Sequence, residues 1–147
     1  DAGAVLRLVG DGENLQCCKT IAEEVGVSDR VEFLGARSDI AELIAESCVG
    51  IQSSNWEGFG LTAVEIMAAG KPIIASDVEG LRQVVEGAGI IFNRGNVEEL
   101  ANRISHLLAD DEYYKNVAHA CQQRALVYDI SVMAECYKSV YYSLIGS

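Results

Sequence analysis

The amino-acid sequence predicts an α/β fold in which helices cover both faces of a doubly wound, mostly parallel sheet. Short apolar runs alternate with helical patterns through the first two-thirds of the chain. These runs are apolar almost throughout, which is typical of strands that are buried on both sides. Because crossovers between parallel strands are right-handed, consecutive units of this kind place helices on both faces of one sheet.

The individual elements follow from the apolar runs and from the residues that end them. β-branched and leucine-rich runs predict strands at Ala4–Val9, Val31–Leu34, Val49–Ser53, Ile73–Ser76 and Gly89–Phe92. Helical periodicity predicts helices at about Glu13–Val25, Ser38–Cys48, Leu61–Ala69, Leu81–Glu86, Val97–Leu108, Asp111–Val127 and Val132–Leu144. Gly26 and Gly70 are predicted to end the first and third helices. Asn96, Asp110 and Ser131 are predicted N-caps of the last three.

The composition indicates one compact domain over residues 1–147. Half of the residues are apolar, which allows a core that buries roughly two-thirds of the surface of the unfolded chain. No apolar run approaches the ~20 residues of a membrane helix, and we expect a cytoplasmic protein. The five cysteines include no Cys-x-x-Cys pair, and we expect them to be reduced and buried.

The charge of the chain excludes two classes of partner. There are 11 basic and 22 acidic residues, which give a formal net charge of −11. Such a field repels nucleic acid and anionic lipid, so neither is an expected partner. Membrane contact of the full-length protein stays open but is not indicated by this sequence. A polyanionic ligand would have to be held by local dipoles or by cationic groups outside this chain.

The most informative segment runs from Glu57 to Glu65. Its two carboxylates lie eight positions apart and bracket the glycine loop 58–60, which leads directly into an apolar helix. Glycine allows positive φ and close approach of a ligand. The amides of Leu61 and Thr62 at the helix start lack intrahelical acceptors and suit a phosphate, whereas a carboxylate can accept two hydrogen bonds from a sugar diol.

These groups together predict a pocket for a sugar nucleotide. Glu65 shares a helix face with Thr62 and can reach a hydroxyl pair about one turn from the phosphate, where a ribose would lie. Glu57 precedes the turn and would meet the transferred sugar. The competing interpretation is structural, an acidic loop residue that merely caps a helix. The turns Gly10–Gly12, Gly35–Arg37 and Asn55–Gly60 all follow strands, at the edge where ligands bind in such folds.

Residues 53–76 resemble a known family signature. The segment reads Ser-Ser-Asn-Trp-Glu-Gly-Phe-Gly-Leu-Thr-Ala-Val-Glu-Ile-Met-Ala-Ala-Gly-Lys-Pro-Ile-Ile-Ala-Ser. It is similar to the E-x7-E signature of retaining glycosyltransferases with the GT-B fold, the group that contains glycogen synthases, sucrose synthases and many bacterial mannosyl- and glucosyltransferases. The turn Val9–Gly12, the strand Val31–Gly35 and the segment Gly89–Leu100 resemble other parts of that family's Rossmann-like nucleotide domain. The resemblance covers nearly the whole chain.

The resemblance implies a function and a role for each site residue. It implies transfer of a hexosyl group, with retention, from a nucleotide-diphosphate sugar to an acceptor sugar, lipid or polysaccharide. Glu57 would make the catalytic contact to the donor sugar, and Glu65 would bind the ribose. Donor oxygens would be bound by Gly58, Phe59, Gly60, Leu61 and Thr62. The base would lie beside Gly35 and Arg37, although Arg37 is equally compatible with a solvated surface arginine, and both interpretations stay open.

The resemblance also implies that part of the enzyme is absent from this sequence. Family members have an Arg…Lys clamp for the diphosphate on the first strand and helix of this domain, and nothing here matches it. The chain would then be the C-terminal, donor-binding half without its first strand and helix and without the N-terminal acceptor domain. We expect this piece alone to be inactive in transfer. The resemblance implies no cofactor, and no pair of carboxylates in the sequence has the spacing of a Mg²⁺ site.

Other functions stay open beside this one. A sugar-nucleotide epimerase can share the architecture and would release an altered sugar without an acceptor. A non-catalytic module would bind the nucleotide and transfer nothing. A phosphoacceptor receiver domain is the weakest alternative, because Asp11 stands alone where such a domain carries an acidic cluster after its opening strand.

Overall fold

The computed structural model describes residues 3–145. Its contacts divide the chain into two compact units, the first ending at Ile40 and the second beginning at Ala41. The strands are β1 (Leu6–Val9), β2 (Val31–Gly35), β3 (Gly50–Gln52), β4 (Ile73–Ser76) and β5 (Ile90–Phe92). The helices are α1 (Leu15–Glu24), α2 (Ile40–Glu46), α3 (Leu61–Ala68), α4 (Glu79–Val85), α5 (Val97–Ala109), α6 (Asp111–Ala125) and α7 (Ile130–Ile145). All predicted strands and helices are present, with ends shifted by no more than about two residues.

The first unit is built around the parallel pair of β1 and β2. Leu6 lies opposite Val31 in this pair. Beyond the end of β1, the Gly10 N–H donates to the Gly35 carbonyl at 2.8 Å and continues the pairing. The helix α1 follows β1 and ends before Gly26, as predicted, because Gly26 takes a φ of +70° that a residue with a Cβ rarely adopts.

The second unit is built around a three-stranded parallel sheet with β4 between β3 and β5. All four residues of β4 are buried. Since successive side chains of a strand point to opposite faces, both faces of the sheet are covered at this central strand, whereas Ile51 of β3 is exposed. The prediction of an α/β fold with parallel strands and helices on both sides is confirmed, with the pairing divided between a two-stranded and a three-stranded sheet.

The strands β4 and β5 and the helices α3, α4, α5 and α6 supply the core of the second unit. The large side chains that are fully buried include Met67, Ile73, Ile74, Leu81, Val84, Val85, Leu107 and Cys121. Each aliphatic member contributes roughly 1.5–3 kcal/mol by leaving water. Cys121 is the one buried cysteine in the described part of the chain, and burial raises the pKa of its thiol. The prediction of buried thiols is therefore wrong for the other four.

Parallel pairing brings the carboxyl ends of β3, β4 and β5 to one edge of the sheet. The segments that follow these strands are residues 53–60, 77–78 and 93–96. The longest of them, 53–60, connects β3 to α3 and contains the glycine loop singled out in the sequence. The fold of the second unit therefore places this loop beside the turns that follow β4 and β5.

Side chains cap α5 and α6 where the sequence predicts them. Asn96 Oδ1 accepts a hydrogen bond from the Glu99 N–H at 3.0 Å. Asp110 Oδ1 accepts from the N–H groups of Glu112 and Tyr113, at 3.0 and 2.9 Å. Each bond satisfies an amide that has no partner inside its helix.

The predicted cap of α7 at Ser131 is wrong. The helix begins at Ile130, so Ser131 lies inside it. The capping acceptor is Asp129, whose Oδ1 accepts from the Ser131 N–H at 2.8 Å and also from the Ser131 hydroxyl. These two bonds hold the pKa of Asp129 below its usual value. Aspartate precedes serine here and takes the capping position itself.

Removal of the α6 cap provides a test of this local structure. We expect Asp110→Ala to lower the free energy of unfolding by about 1 kcal/mol, because two amides lose their acceptor. Asp110→Asn should recover most of that loss, since its side-chain carbonyl can accept the same bonds. Urea denaturation of the three proteins measures the effect, and equal midpoints for wild type and Asp110→Ala would contradict it.

The last helix, α7, exposes its whole length. Every residue from Ile130 to Ile145 is exposed, including Tyr137, Val140 and Leu144. The helix has 16 residues. Neither it nor any other helix within residues 3–145 combines the length and apolar character needed to cross a bilayer.

Candidate functional site

The loop 53–60 is fastened to the neighbouring strand ends by two hydrogen bonds. The Ser76 hydroxyl, at the end of β4, donates to the Ser54 carbonyl at 2.6 Å. Arg94, just after β5, donates through Nη1 to the Asn55 carbonyl at 3.1 Å. The N-terminal end of the loop is therefore held by residues at the carboxyl ends of β4 and β5.

A second fastening comes from the close approach of α4. A Cβ placed on Gly80 would lie 2.2 Å from the Glu57 carbonyl oxygen and 3.0 Å from the Gly58 carbonyl carbon. Only a residue without a side chain permits this separation between helix and loop. The backbone of Glu57 is thus supported directly by the first turn of α4.

The two glycines that flank Phe59 have different roles. Gly60 has a φ of +88° and lies under Leu81, whose Cδ2 would be 2.7 Å from an added Cβ. Gly58 does not have positive φ, and an added Cβ there would meet Trp56 at an ordinary 3.6 Å. Glycine allows positive φ at both positions, and of the two only Gly60 adopts it. Gly58 is exposed and has no side chain, so a ligand can approach its backbone.

The helix α3 begins with backbone donors that have no partner within residues 3–145. Its N-cap, Gly60, provides no side-chain acceptor. The first bond inside the helix runs from the Ala63 N–H to the Gly60 carbonyl at 2.9 Å, so the amides of Leu61 and Thr62 precede it. These amides carry the positive end of the helix dipole and suit an anion.

Glu65 lies on the exposed face of α3. Ala63, Ile66 and Met67 are buried on the face that packs into the core. Leu61 and Glu65, which are separated by one helical turn, are both exposed. Glu65 forms no ion pair within residues 3–145. Its carboxylate therefore remains available to a ligand on the same side as the first turn of the helix.

Glu57 is half-buried and held by two donors. Gln52, the last residue of β3, donates from Nε2 to Glu57 Oε2 at 2.9 Å. The Gly58 N–H donates to Glu57 Oε1 at 3.2 Å. Because an ionised carboxylate oxygen can accept more than one hydrogen bond, each oxygen keeps capacity for a ligand hydroxyl.

Phe59 extends from the loop to the turn that follows α6. Its ring packs edge-to-face on Tyr128, with ring centroids 5.5 Å apart and an angle of 82°. Tyr128 is held in turn by its hydroxyl, which donates to the Gln83 carbonyl at 3.2 Å, and by the Arg124 guanidinium over its ring. Phe59 remains 44% exposed, and the contact of its ring with Tyr128 anchors the loop.

Gly35 and Arg37 belong to the first unit. Gly35 has a φ of +63° and ends β2. Arg37 is exposed and donates from Nε to Asp39 Oδ1 at 2.8 Å, with a second bond between Nη2 and Oδ2. The Arg37 guanidinium lowers the pKa of the Asp39 carboxyl. A role of these two residues beside a base stays a prediction.

Hydrogen bonds to the carboxylates of Asp77 and Glu99 stabilise the turns that follow β4 and β5. Arg82 Nε donates to Asp77 Oδ1 at 2.7 Å, and Asp77 raises the pKa of Arg82. Glu99 Oε2 accepts from the backbone N–H and the side-chain amide of Asn93, at 3.0 and 2.8 Å. These bonds, with a smaller contribution from Arg103, lower the pKa of Glu99. Asp77 and Glu99 are therefore engaged within the fold.

No group of three His, Cys, Asp or Glu side chains in residues 3–145 could hold a metal ion.

The sequence analysis did not assign three residues at this edge to the site, namely Gln52, Ser76 and Gly80. Gln52 and Ser76 are the polar ends of short apolar strands, and Gly80 is a glycine inside a helix. Both patterns are recognisable signals, since a glycine in an element interior often marks close backbone approach. What they contact could be known only from the folded chain.

Two curated bacterial proteins are similar to most of the chain. An N,N'-diacetylbacillosaminyl-diphospho-undecaprenol alpha-1,3-N-acetylgalactosaminyltransferase of Campylobacter jejuni is 35% identical over 136 residues, which cover 91% of this chain and 36% of that protein. An N-acetyl-alpha-D-glucosaminyl L-malate synthase of Bacillus anthracis is 31% identical over 150 residues, which cover 99% of this chain and 39% of that protein. The chain thus spans somewhat more than a third of the length of these relatives.

A solved structure shows the same fold. The crystal structure of Anabaena Alr3699/HepE in complex with UDP superposes with a TM-score of 0.87 at 29% identity, and covers 95% of this chain and 41% of that one. The same Anabaena protein has been solved with UDP-glucose.

The family follows from a match along most of the chain. The model of the family described as glycosyl transferases group 1 matches residues 1–124, which include every predicted site residue, the loop 53–60 and the unpaired helix start of α3. The chain belongs to the glycosyl transferases group 1 family.

Proposed function

We propose that this chain binds a nucleotide-diphosphate sugar and that the complete protein transfers its hexosyl group to an acceptor hydroxyl with retention. The observation that carries the proposal is the arrangement around α3. The amides of Leu61 and Thr62, which have no partner in the described part of the chain, lie at the helix start. The carboxylate of Glu65 lies one turn along the exposed face, and Glu57 precedes the glycine loop. Family membership and the UDP and UDP-glucose complexes of the Anabaena protein support it.

Each end of the donor has a proposed partner. The amides of residues 59–62 bind the diphosphate and sugar oxygens, because their dipoles favour negative charge without a cation. Glu65 accepts two hydrogen bonds from the ribose hydroxyls. Glu57 binds the transferred sugar. For the first unit, a contact of Gly35 and Arg37 with the base stays a proposal that comes from the family resemblance. No cofactor and no metal ion is part of this proposal.

The proposed reaction exchanges one bond at the anomeric carbon. The bond to the leaving diphosphate breaks, the acceptor oxygen bonds to the same face of the sugar, and the acceptor proton passes to a donor phosphate oxygen. Negative charge grows on the diphosphate and positive charge on the sugar ring. The helix-start amides of α3 stabilise the negative charge on the diphosphate, and the Glu57 carboxylate faces the positive charge on the sugar ring.

Donor binding is tested by measuring the Tm of the complete protein in the presence of UDP-glucose, GDP-mannose or ADP-glucose. A ligand that binds only the folded state at 100 times its Kd adds about 2.7 kcal/mol to the free energy of unfolding, which raises Tm by several degrees. We expect one donor to raise Tm well above the others. Failure of all three to shift Tm would overturn the donor-binding proposal.

Transfer is tested by product analysis of the complete protein with the donor that binds. Retention predicts that the product has the anomeric configuration of the donor, which proton coupling constants report. An inverted product contradicts retention. Release of an altered sugar without an acceptor would indicate an epimerase, and binding without any product would indicate a non-catalytic module.

The role of Glu57 predicts a specific kinetic effect. In the complete protein, Glu57→Gln keeps the shape of the side chain but removes the charge that faces the sugar. We expect kcat to fall by at least about tenfold, which is a loss of about 1.4 kcal/mol of transition-state stabilisation, with a smaller change in donor Kd. Glu79→Gln removes an exposed carboxylate at the start of α4 and should leave both constants unchanged. Equal kcat in wild type and Glu57→Gln would rule out this role.

A further inference from the structure

Gln52 is a polar side chain at the end of an apolar strand, and it contacts the proposed catalytic carboxylate. It is the last residue of β3 and lies opposite Ala75 of β4. Its Nε2 donates to Glu57 Oε2 at 2.9 Å. The other amide atom, Oε1, is buried and has no hydrogen-bond partner within residues 3–145.

The unsatisfied Oε1 indicates that Gln52 is not optimal for stability. A buried acceptor without a donor costs free energy of folding. An unbranched apolar side chain of similar length, such as methionine, would fill the same space without that cost. The contribution of Gln52 therefore lies in the N–H that it directs to Glu57.

The chemistry of Glu57 determines the orientation of this amide. An ionised carboxylate only accepts hydrogen bonds, so the nitrogen of Gln52 must face it. The opposite orientation would place two acceptor oxygens against each other. Glu57 has no ion pair in the described residues, so the donors that fix its plane are the Gln52 amide and the Gly58 N–H.

We propose that Gln52 is a positioning residue that orients the Glu57 carboxylate toward the donor sugar. The inference rests on the proposed function, because Gln52 acts only through Glu57. The β3 backbone is held in the sheet by pairing with β4, so this amide projects from a rigid support. A small displacement of a reacting group lowers turnover steeply. A carboxylate free to rotate should therefore reduce kcat, whereas donor affinity comes mainly from Glu65 and the helix-start amides.

The test uses three variants in the complete protein, two of which keep the approximate size of glutamine. Gln52→Met removes the donor, and we expect kcat to fall roughly tenfold, as for one lost hydrogen bond to a charged group. Donor Kd should change by less than about twofold and Tm should stay equal or rise, since the unsatisfied oxygen is gone. Gln52→Glu places an acceptor against Glu57, and its loss of kcat should be larger. Gln52→Asn keeps the amide one methylene shorter and should fall between wild type and Gln52→Met.

A double-mutant cycle separates positioning from a structural role. In a Glu57→Ala background, Gln52→Met should cause no further loss of kcat, because nothing is left to orient. The same loss in both backgrounds, or wild-type kcat in Gln52→Met, would overturn the positioning role alone. Wild-type turnover by Glu57→Ala would instead overturn the proposed role of Glu57 and the positioning role with it.

Discussion

Replacing Glu65 with alanine is expected to weaken donor binding by roughly 1.5–3 kcal/mol, about 10- to 150-fold in Kd, the range for a hydrogen bond to a charged group. The carboxylate is exposed and has no ion pair within residues 3–145, so its removal breaks no ion pair in the described fold. Alanine is a better helix former than glutamate, so α3 should keep its stability. Calorimetric titration of the complete protein with the nucleotide donor measures the change.

The direction in which Glu65→Ala changes donor affinity distinguishes a direct contact with the donor from a general effect of net charge. The chain carries a net charge of −11, so removal of any distant carboxylate should slightly favour an anionic ligand. Glu98→Ala, at the exposed start of α5, provides this control and should leave the affinity equal or slightly higher. A Kd for Glu65→Ala that matches wild type or the Glu98→Ala control would contradict the ribose-binding role.

Replacing Gly60 with alanine is expected to lower the free energy of unfolding by about 2–5 kcal/mol. The φ of +88° costs an L-residue about 1–2 kcal/mol. The added Cβ would also lie 2.7 Å from Leu81 Cδ2, and Leu81 is fully buried in a packed core. Forcing extra volume into such a site costs about 1–3 kcal/mol more. Chemical denaturation measures the sum.

Gly58 provides the matched control, two positions earlier in the same loop. Its φ is not positive, and an added Cβ would meet Trp56 at 3.6 Å, an ordinary contact. We expect Gly58→Ala to change stability by less than about 1 kcal/mol. It should nevertheless weaken donor binding if the sugar approaches this backbone. Equal stability losses in the two variants would show that the conformation of Gly60 is not the cause.

The helices and strands could be predicted because their signals are local. The run Ile73–Ala75 is apolar without interruption, which indicates a strand buried on both faces, and β4 consists of this run and Ser76. The caps Asn96 and Asp110 were predictable because a short side chain reaches only the next turn. Ser131 was predicted wrongly because Asp129, two residues earlier, competes for the same amides and prevails.

The sequence by itself determined the family of the chain, the order of its strands and helices, and the two glutamates that bracket a glycine loop at a helix start. These depend on residue type and on spacing along the chain. Only the tertiary structure decided which side chains support the loop. Gln52 contacts Glu57 across a short turn, whereas Gly80 and Arg94 reach the loop from 23 and 39 positions away. Such contacts arise from parallel strand pairing, which brings distant segments to one edge and leaves no periodic pattern in the sequence.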